Sequence, residues 1–144
     1  MSRVSHVWQV ERSRRGGAIM NLVLRALLAI AGLLGLLVAL GFWFNTDVLA
    51  ARFGVEAQGL LGYSTLRADF GALFGAVGVL SLVAAIRNCA RFLTAPLLLI
   101  GIGFSGRLLT IALSGYDATM LPPMVVEIVL IALFAAGRKL LPAT

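Results

Sequence analysis

Histidine and cysteine each occur once in this chain, at His6 and Cys89, and only 12% of its 144 residues are charged. A lone cysteine excludes an intrachain disulfide. A lone histidine excludes a haem or zinc site built on histidines within the chain, and no metal or cofactor is expected. Soluble domains carry about 25% charged residues. A chain with half that share and 60% hydrophobic residues has too little polar surface to cover itself in water. No Walker loop, CxxC or HExxH motif is present, and no serine or cysteine nucleophile has a histidine to activate it. Acidic residues number six against twelve basic ones, for a formal charge of +6. The basic residues do not form the patch that a nucleic-acid partner would require. They stand at the ends of apolar runs, as membrane topology demands.

Long apolar runs are what the chain has in quantity. A helix crossing the roughly 30 Å hydrocarbon layer needs about 20 mostly apolar residues. Four runs meet that need, at about 22–44, 67–86, 92–113 and 121–138. None alternates apolar and polar residues as a barrel strand would. The pattern predicts an all-α polytopic membrane protein, a four-helix transmembrane bundle forming one domain over 20–144, with the lipid bilayer as its surroundings. Residues 1–19 are polar and basic and read as a disordered cytoplasmic tail; alternatively, translation starts at Met20. The first run exceeds the roughly 7–15 apolar residues of a signal peptide, so an uncleaved anchor is expected.

Orientation follows from charge. Arg3, Arg12, Arg14, Arg15, Arg25, Arg87, Arg91, Arg138 and Lys139 fall on one side of the expected bundle. Arg52, Arg67 and the intramembrane Arg107 fall on the other. The positive-inside rule places both termini in the cytoplasm. Asn45–Leu66 is the one long connection, where Asp47 is expected to cap a short helix through Phe53 that Gly54 ends. Val48, Leu49 and Phe53 give that helix an apolar side suited to the outer interface.

Two charges interrupt the apolar runs. An arginine within a span costs roughly 3 kcal/mol on insertion scales, so Arg107 is expected to face protein or water and to find a partner. Counting about 1.5 Å per residue, Arg107 lies roughly 9 Å below the outer end of the third run, and Glu127 about as deep in the fourth. Asp69 is shallower, and Arg67 and Asp117 flank the same mouth. These five residues are expected to converge in the outer half as an ion-pair or ligand cluster. Gly103, Arg107, Thr110 and Ser114 share one helical side, as do Pro123, Glu127, Ile131 and Phe134. Gly71, Gly75 and Gly78 form a small-residue face, and Gly103 is likewise expected to serve helix packing. Opposite that glycine face stand Asp69, Ala72 and Ala76, so the second span is expected to meet two neighbours.

Arg67-Ala68-Asp69-Phe70-Gly71, with Gly106-Arg107 and Glu127, resembles a family of small bacterial four-helix membrane proteins whose function is not established. A looser resemblance in size and layout runs to the DoxX-like membrane proteins. The first resemblance implies a bacterial inner-membrane location and marks Arg67, Asp69, Arg107 and Glu127 as the family's polar positions; it implies no reaction. Ala72 stands where that family pattern leads one to expect a second glycine. The favoured functional reading is a non-catalytic membrane protein, an accessory subunit or a binder of a lipid-like or apolar ligand, with a membrane protein partner or a second copy of itself. A proton-coupled transporter using Glu127 is the alternative. A membrane enzyme acting on a lipid or quinone through Asp69 and Glu127 is a third. A purely structural ion pair between Arg107 and Glu127 remains open beside all three.

Overall fold

The computed structural model describes the backbone of residues 3–143 and the side chains of residues 17–143. Among the described residues there is no strand. The α-helices are α1 (Arg3–Phe44), α2 (Thr46–Arg52), α3 (Gly59–Thr65), α4 (Gly71–Arg87), α5 (Thr94–Ser114) and α6 (Leu121–Leu140). Four segments, Gly17–Phe44, Gly59–Arg87, Ala90–Ser114 and Ala118–Leu140, are long and apolar enough to cross a membrane. The protein is an all-α, multi-pass membrane protein.

Two boundaries differ from the sequence reading. Residues 3–19, expected as a disordered tail, continue α1; extending an existing helix adds one hydrogen bond per residue fixed and avoids a new nucleus. Met1 and Ser2 of that expected tail lie outside the described residues. The second span begins at Gly59 rather than near residue 67, and its 29 residues extend over about 43 Å, more than the hydrocarbon layer requires. Its first part, α3, buries no residue. A π turn at Leu66–Phe70 joins α3 to α4. Such a turn shifts the helical faces relative to regular α geometry. Leu66 thereby turns inward and Phe70 is half-buried, whereas Arg67, Ala68 and Asp69 are exposed.

Helix ends are tied down locally. Asn88 ends α4 in the left-handed conformation, at φ 51°, as a C-terminal cap often does. Arg25 of α1 donates from Nε to the Ala85 carbonyl at 2.6 Å, satisfying one of the carbonyls that a helix end leaves without a partner. Past the turn, the Ala90 amide donates to the Pro142 carbonyl at 2.7 Å. Arg138 donates to Thr94 Oγ at 2.8 Å. These contacts gather Arg25 and Arg138 at one end of the molecule, the basic end, with Arg87 and Arg91 on the turn between α4 and α5.

At the opposite end, α2 folds back onto α1. Thr46 Oγ donates to the Phe42 carbonyl at 2.8 Å, and Gly54 at φ 69° follows the helix. The expected cap at Asp47 is corrected. Asn45 precedes α2 without a side-chain cap, and Asp47 lies in the first turn, where it accepts a hydrogen bond from the Tyr63 hydroxyl at 2.6 Å. The tether joins α2 to α3.

Helices in lipid associate by close packing rather than by escape from water. The most extensive interface joins α1 to α4, and glycines set its spacing. A Cβ on Gly78 would stand 2.8 Å from the Leu36 backbone nitrogen and 2.9 Å from the Gly32 carbonyl oxygen. A Cβ on Gly71 would collide with the Trp43 indole, whose Nε1 donates to the Arg67 carbonyl at 3.1 Å. Gly75 makes ordinary contact, its nearest neighbour being Ala39 at 3.8 Å. The second pair is α5 with α6. The two pairs meet toward the basic end, where Leu28, Leu93 and Phe134 are fully buried and Gly137 lies against Leu93 and Leu28. Toward the opposite end, Phe42, Phe53, Phe70 and Phe74 form a separate aromatic cluster with ring centroids 4.9–6.5 Å apart. Space is left between these two packed regions.

Candidate functional site

Arg107 and Glu127 face each other across the α5–α6 pair, with Arg107 Nε donating to Glu127 Oε1 at 2.8 Å. The arginine side chain is 33% exposed and the glutamate 16%. Glu127 Oε2 is buried and has no hydrogen-bond partner among the described residues. The pair borders a cavity of about 450 Å³ between the helices. Gly103, Arg107 and Thr110 line it from α5, and Pro123, Glu127 and Leu130 from α6. The spacing of four and then three residues keeps each trio on one helical side. Phe53 just after α2, Phe70 of the π turn and Phe74 of α4 close it with their aromatic rings, together with Val38 of α1.

The volume falls within the 300–1,000 Å³ of small-molecule sites, which are mostly apolar with a few convergent polar groups. Thr110 contributes little polarity, because its hydroxyl donates to the Gly106 carbonyl at 3.0 Å. The polar character therefore rests on the Arg107–Glu127 pair. This arrangement can hold an elongated apolar molecule and engage one polar group at its end.

The expected cluster of five does not assemble. Asp69 is exposed, turned outward by the π turn, and makes no hydrogen bond or ion pair among the described residues. Arg67 belongs to another group: its Nε donates to Thr46 Oγ at 3.1 Å and its guanidinium lies 5.7 Å from the centre of the Tyr63 ring. Asp117 caps the 3-10 turn Ala118–Met120, accepting from the Thr119 amide at 2.8 Å and from the Thr119 hydroxyl. Those hydrogen bonds hold its carboxyl below its ordinary value of 3.8. Gly103 also departs from expectation, since a Cβ there would meet nothing within 4 Å; it borders the cavity instead of a helix. Ser114 and Ile131, placed on the same helical sides by periodicity, do not line the cavity, and Phe134 continues the α6 side into the core.

The aromatic wall was not anticipated. Phe70 and Phe74 carried a faint signal in their four-residue spacing on the second span. Phe53 was expected on the apolar side of a helix at the outer interface; it packs instead into the cluster with Phe42, Phe70 and Phe74. Among the described residues, no three His, Cys, Asp or Glu side chains are grouped to hold a metal ion. No protein-family model, curated protein or solved structure matches this chain.

Proposed function

We propose that this is a non-catalytic integral membrane protein that binds a lipid-like or apolar ligand, acting alone or as an accessory subunit of a larger membrane assembly. One observation carries the reading: a cavity of about 450 Å³, walled by aromatic and aliphatic side chains, has the Arg107–Glu127 pair at its edge. Membership of the small bacterial four-helix family belongs to the same proposal, as do an inner-membrane location and cytoplasmic termini. The charge asymmetry supports that orientation, with Arg25, Arg87, Arg91, Arg138 and Lys139 toward the basic end.

Native mass spectrometry of protein extracted gently from its own membrane tests this reading. A stoichiometric small molecule is expected on the wild type and absent from Gly103→Leu, whose added side chain enters open space in the cavity. Ligand-free wild-type protein would refute ligand binding. Ligand-free protein held by a stoichiometric membrane partner would leave the subunit role alone standing.

A second reading, a proton-coupled carrier, is favoured by Glu127 Oε2, a buried carboxylate oxygen without a partner among the described residues. It predicts pH-dependent flux in proteoliposomes that Glu127→Gln abolishes. Flux that is flat with pH removes it.

A further inference from the structure

A second cavity, of about 690 Å³, adjoins the first at the end away from the basic residues. Arg52, Phe53 and Gly54 line it from the end of α2, Thr119 and Met120 from the 3-10 turn before α6, and Pro122 from the start of α6. Phe53, Arg107 and Pro123 line both cavities. Arg107 therefore stands on the boundary between an apolar chamber and a larger, more polar vestibule.

The charges divide unevenly across that boundary. Two guanidinium groups, Arg52 and Arg107, line the vestibule, and no carboxylate does. Glu127 engages Arg107 through Nε from the chamber side. The terminal guanidinium nitrogens of Arg107 have no hydrogen bond among the described residues, and neither has Arg52. The nearby acids stand at the edge of the vestibule without lining it. Asp117 is held by Thr119, while Asp47 and Glu56 line a different hollow beside α2. Two arginines and one glutamate give the residues that line the combined site one net positive charge, with the ionised Asp117 at its edge through the lining Thr119. The start of α6 adds the positive end of a helix dipole; Pro122 and Pro123 have no amide hydrogens to donate, so its contribution is a field rather than hydrogen bonds.

We infer that the ligand is a single-chain amphiphile with a singly charged anionic headgroup, its head between Arg52 and Arg107 and its chain in the phenylalanine-walled chamber. The inference rests on the chamber being a ligand site, as proposed above. Charge complementarity selects the head: one negative charge balances the lining residues, and two guanidinium groups give the strong charge-assisted hydrogen bonds that carboxylates and phosphates accept. Volume selects the chain, because about 450 Å³ lies toward the small end of ligand sites and suits one chain better than two.

The test uses full-length protein in phosphatidylcholine nanodiscs, titrated with lysophosphatidylglycerol and, separately, with the uncharged monoolein. Wild type is expected to bind the anionic amphiphile about fivefold to tenfold more tightly, the scale of one solvent-accessible charge-assisted contact. Arg52→Gln should weaken the anionic amphiphile far more than monoolein and so bring the two affinities together. High salt should narrow the gap in the wild type. Gly103→Leu should weaken both. Equal affinities in the wild type, or a preference that survives Arg52→Gln, would overturn the headgroup assignment and leave the chamber intact. Displacement of the single-chain amphiphile by an equal concentration of two-chain phosphatidylglycerol would overturn the chain assignment. If neither probe binds, or Gly103→Leu changes nothing, the chamber itself is not a ligand site.

Discussion

Arg107 and Glu127 share one short hydrogen bond in an apolar setting, and each makes the other tolerable there. Removing one partner of a buried ion pair costs about 3–5 kcal/mol, mostly because the remaining charge loses its compensation. Arg107 is one-third exposed, so water and headgroups soften the loss to about 1–3 kcal/mol. Arg107→Leu or Glu127→Leu alone is therefore expected to lower the thermal midpoint in detergent, and the double variant to recover much of it. A double variant as unstable as the worse single one would mean that simple pairing does not hold these residues. Both were legible in the sequence because a charge inside an apolar run has few alternatives to a partner. Asp69 was misplaced for an equally physical reason: an interposed π turn rotates it away, and no residue type in Leu66–Phe70 announces such a turn.

Among the helices, α1 and α4 depend on glycine, whereas α5 carries glycines that touch no neighbour. Gly78→Ala is expected to force the α1–α4 backbones apart, since its Cβ would meet main-chain atoms at 2.8 and 2.9 Å. Overpacking of that kind costs about 1–3 kcal/mol. Gly103→Ala meets open space and should leave stability unchanged or raise it slightly, because alanine favours helix. Thermal unfolding of the two variants in the same detergent checks the contrast, and equal losses would contradict it. The small-residue face of α4 was readable from spacing. α4 does meet a second neighbour, α5, but not through the expected face: Asp69 and Ala72 are exposed, and the cavity is met instead by Leu73 and Phe74. At the α5–α6 connection, Thr119 stabilises the ionised form of Asp117 in the folded state. Its contribution to stability is thus full above the ordinary value of 3.8 and is lost as pH falls through the lower folded value. The stability difference between wild type and Asp117→Asn should accordingly be largest near neutral pH and shrink on acidification below 3.8, measured by thermal unfolding across pH. A difference that stays constant would show that Asp117 acts without its charge.

For the molecule as a whole, the four helices were legible because lipid imposes length and apolarity on every span. Their pairing was much less so, because the phenylalanines that meet around the cavity come from segments far apart in the chain, and nothing local links Phe53 to Phe74. Orientation decides what the paired helices can do. With the basic end in the cytoplasm, the vestibule between α2 and the start of α6 opens on the opposite side, and a ligand would approach from the outer leaflet. Cysteine accessibility resolves this cleanly because Cys89 is buried and gives little background. In intact cells, a membrane-impermeant maleimide is expected to label Tyr116→Cys, an exposed position on the α5–α6 connection, and to spare Lys139→Cys until the cells are opened. The reverse pattern would put the vestibule in the cytoplasm, and the ligand's source with it. Equal labelling of both in intact cells would mean that the chain inserts in both orientations, an arrangement the concentration of arginines around Arg25, Arg87, Arg91 and Arg138 opposes.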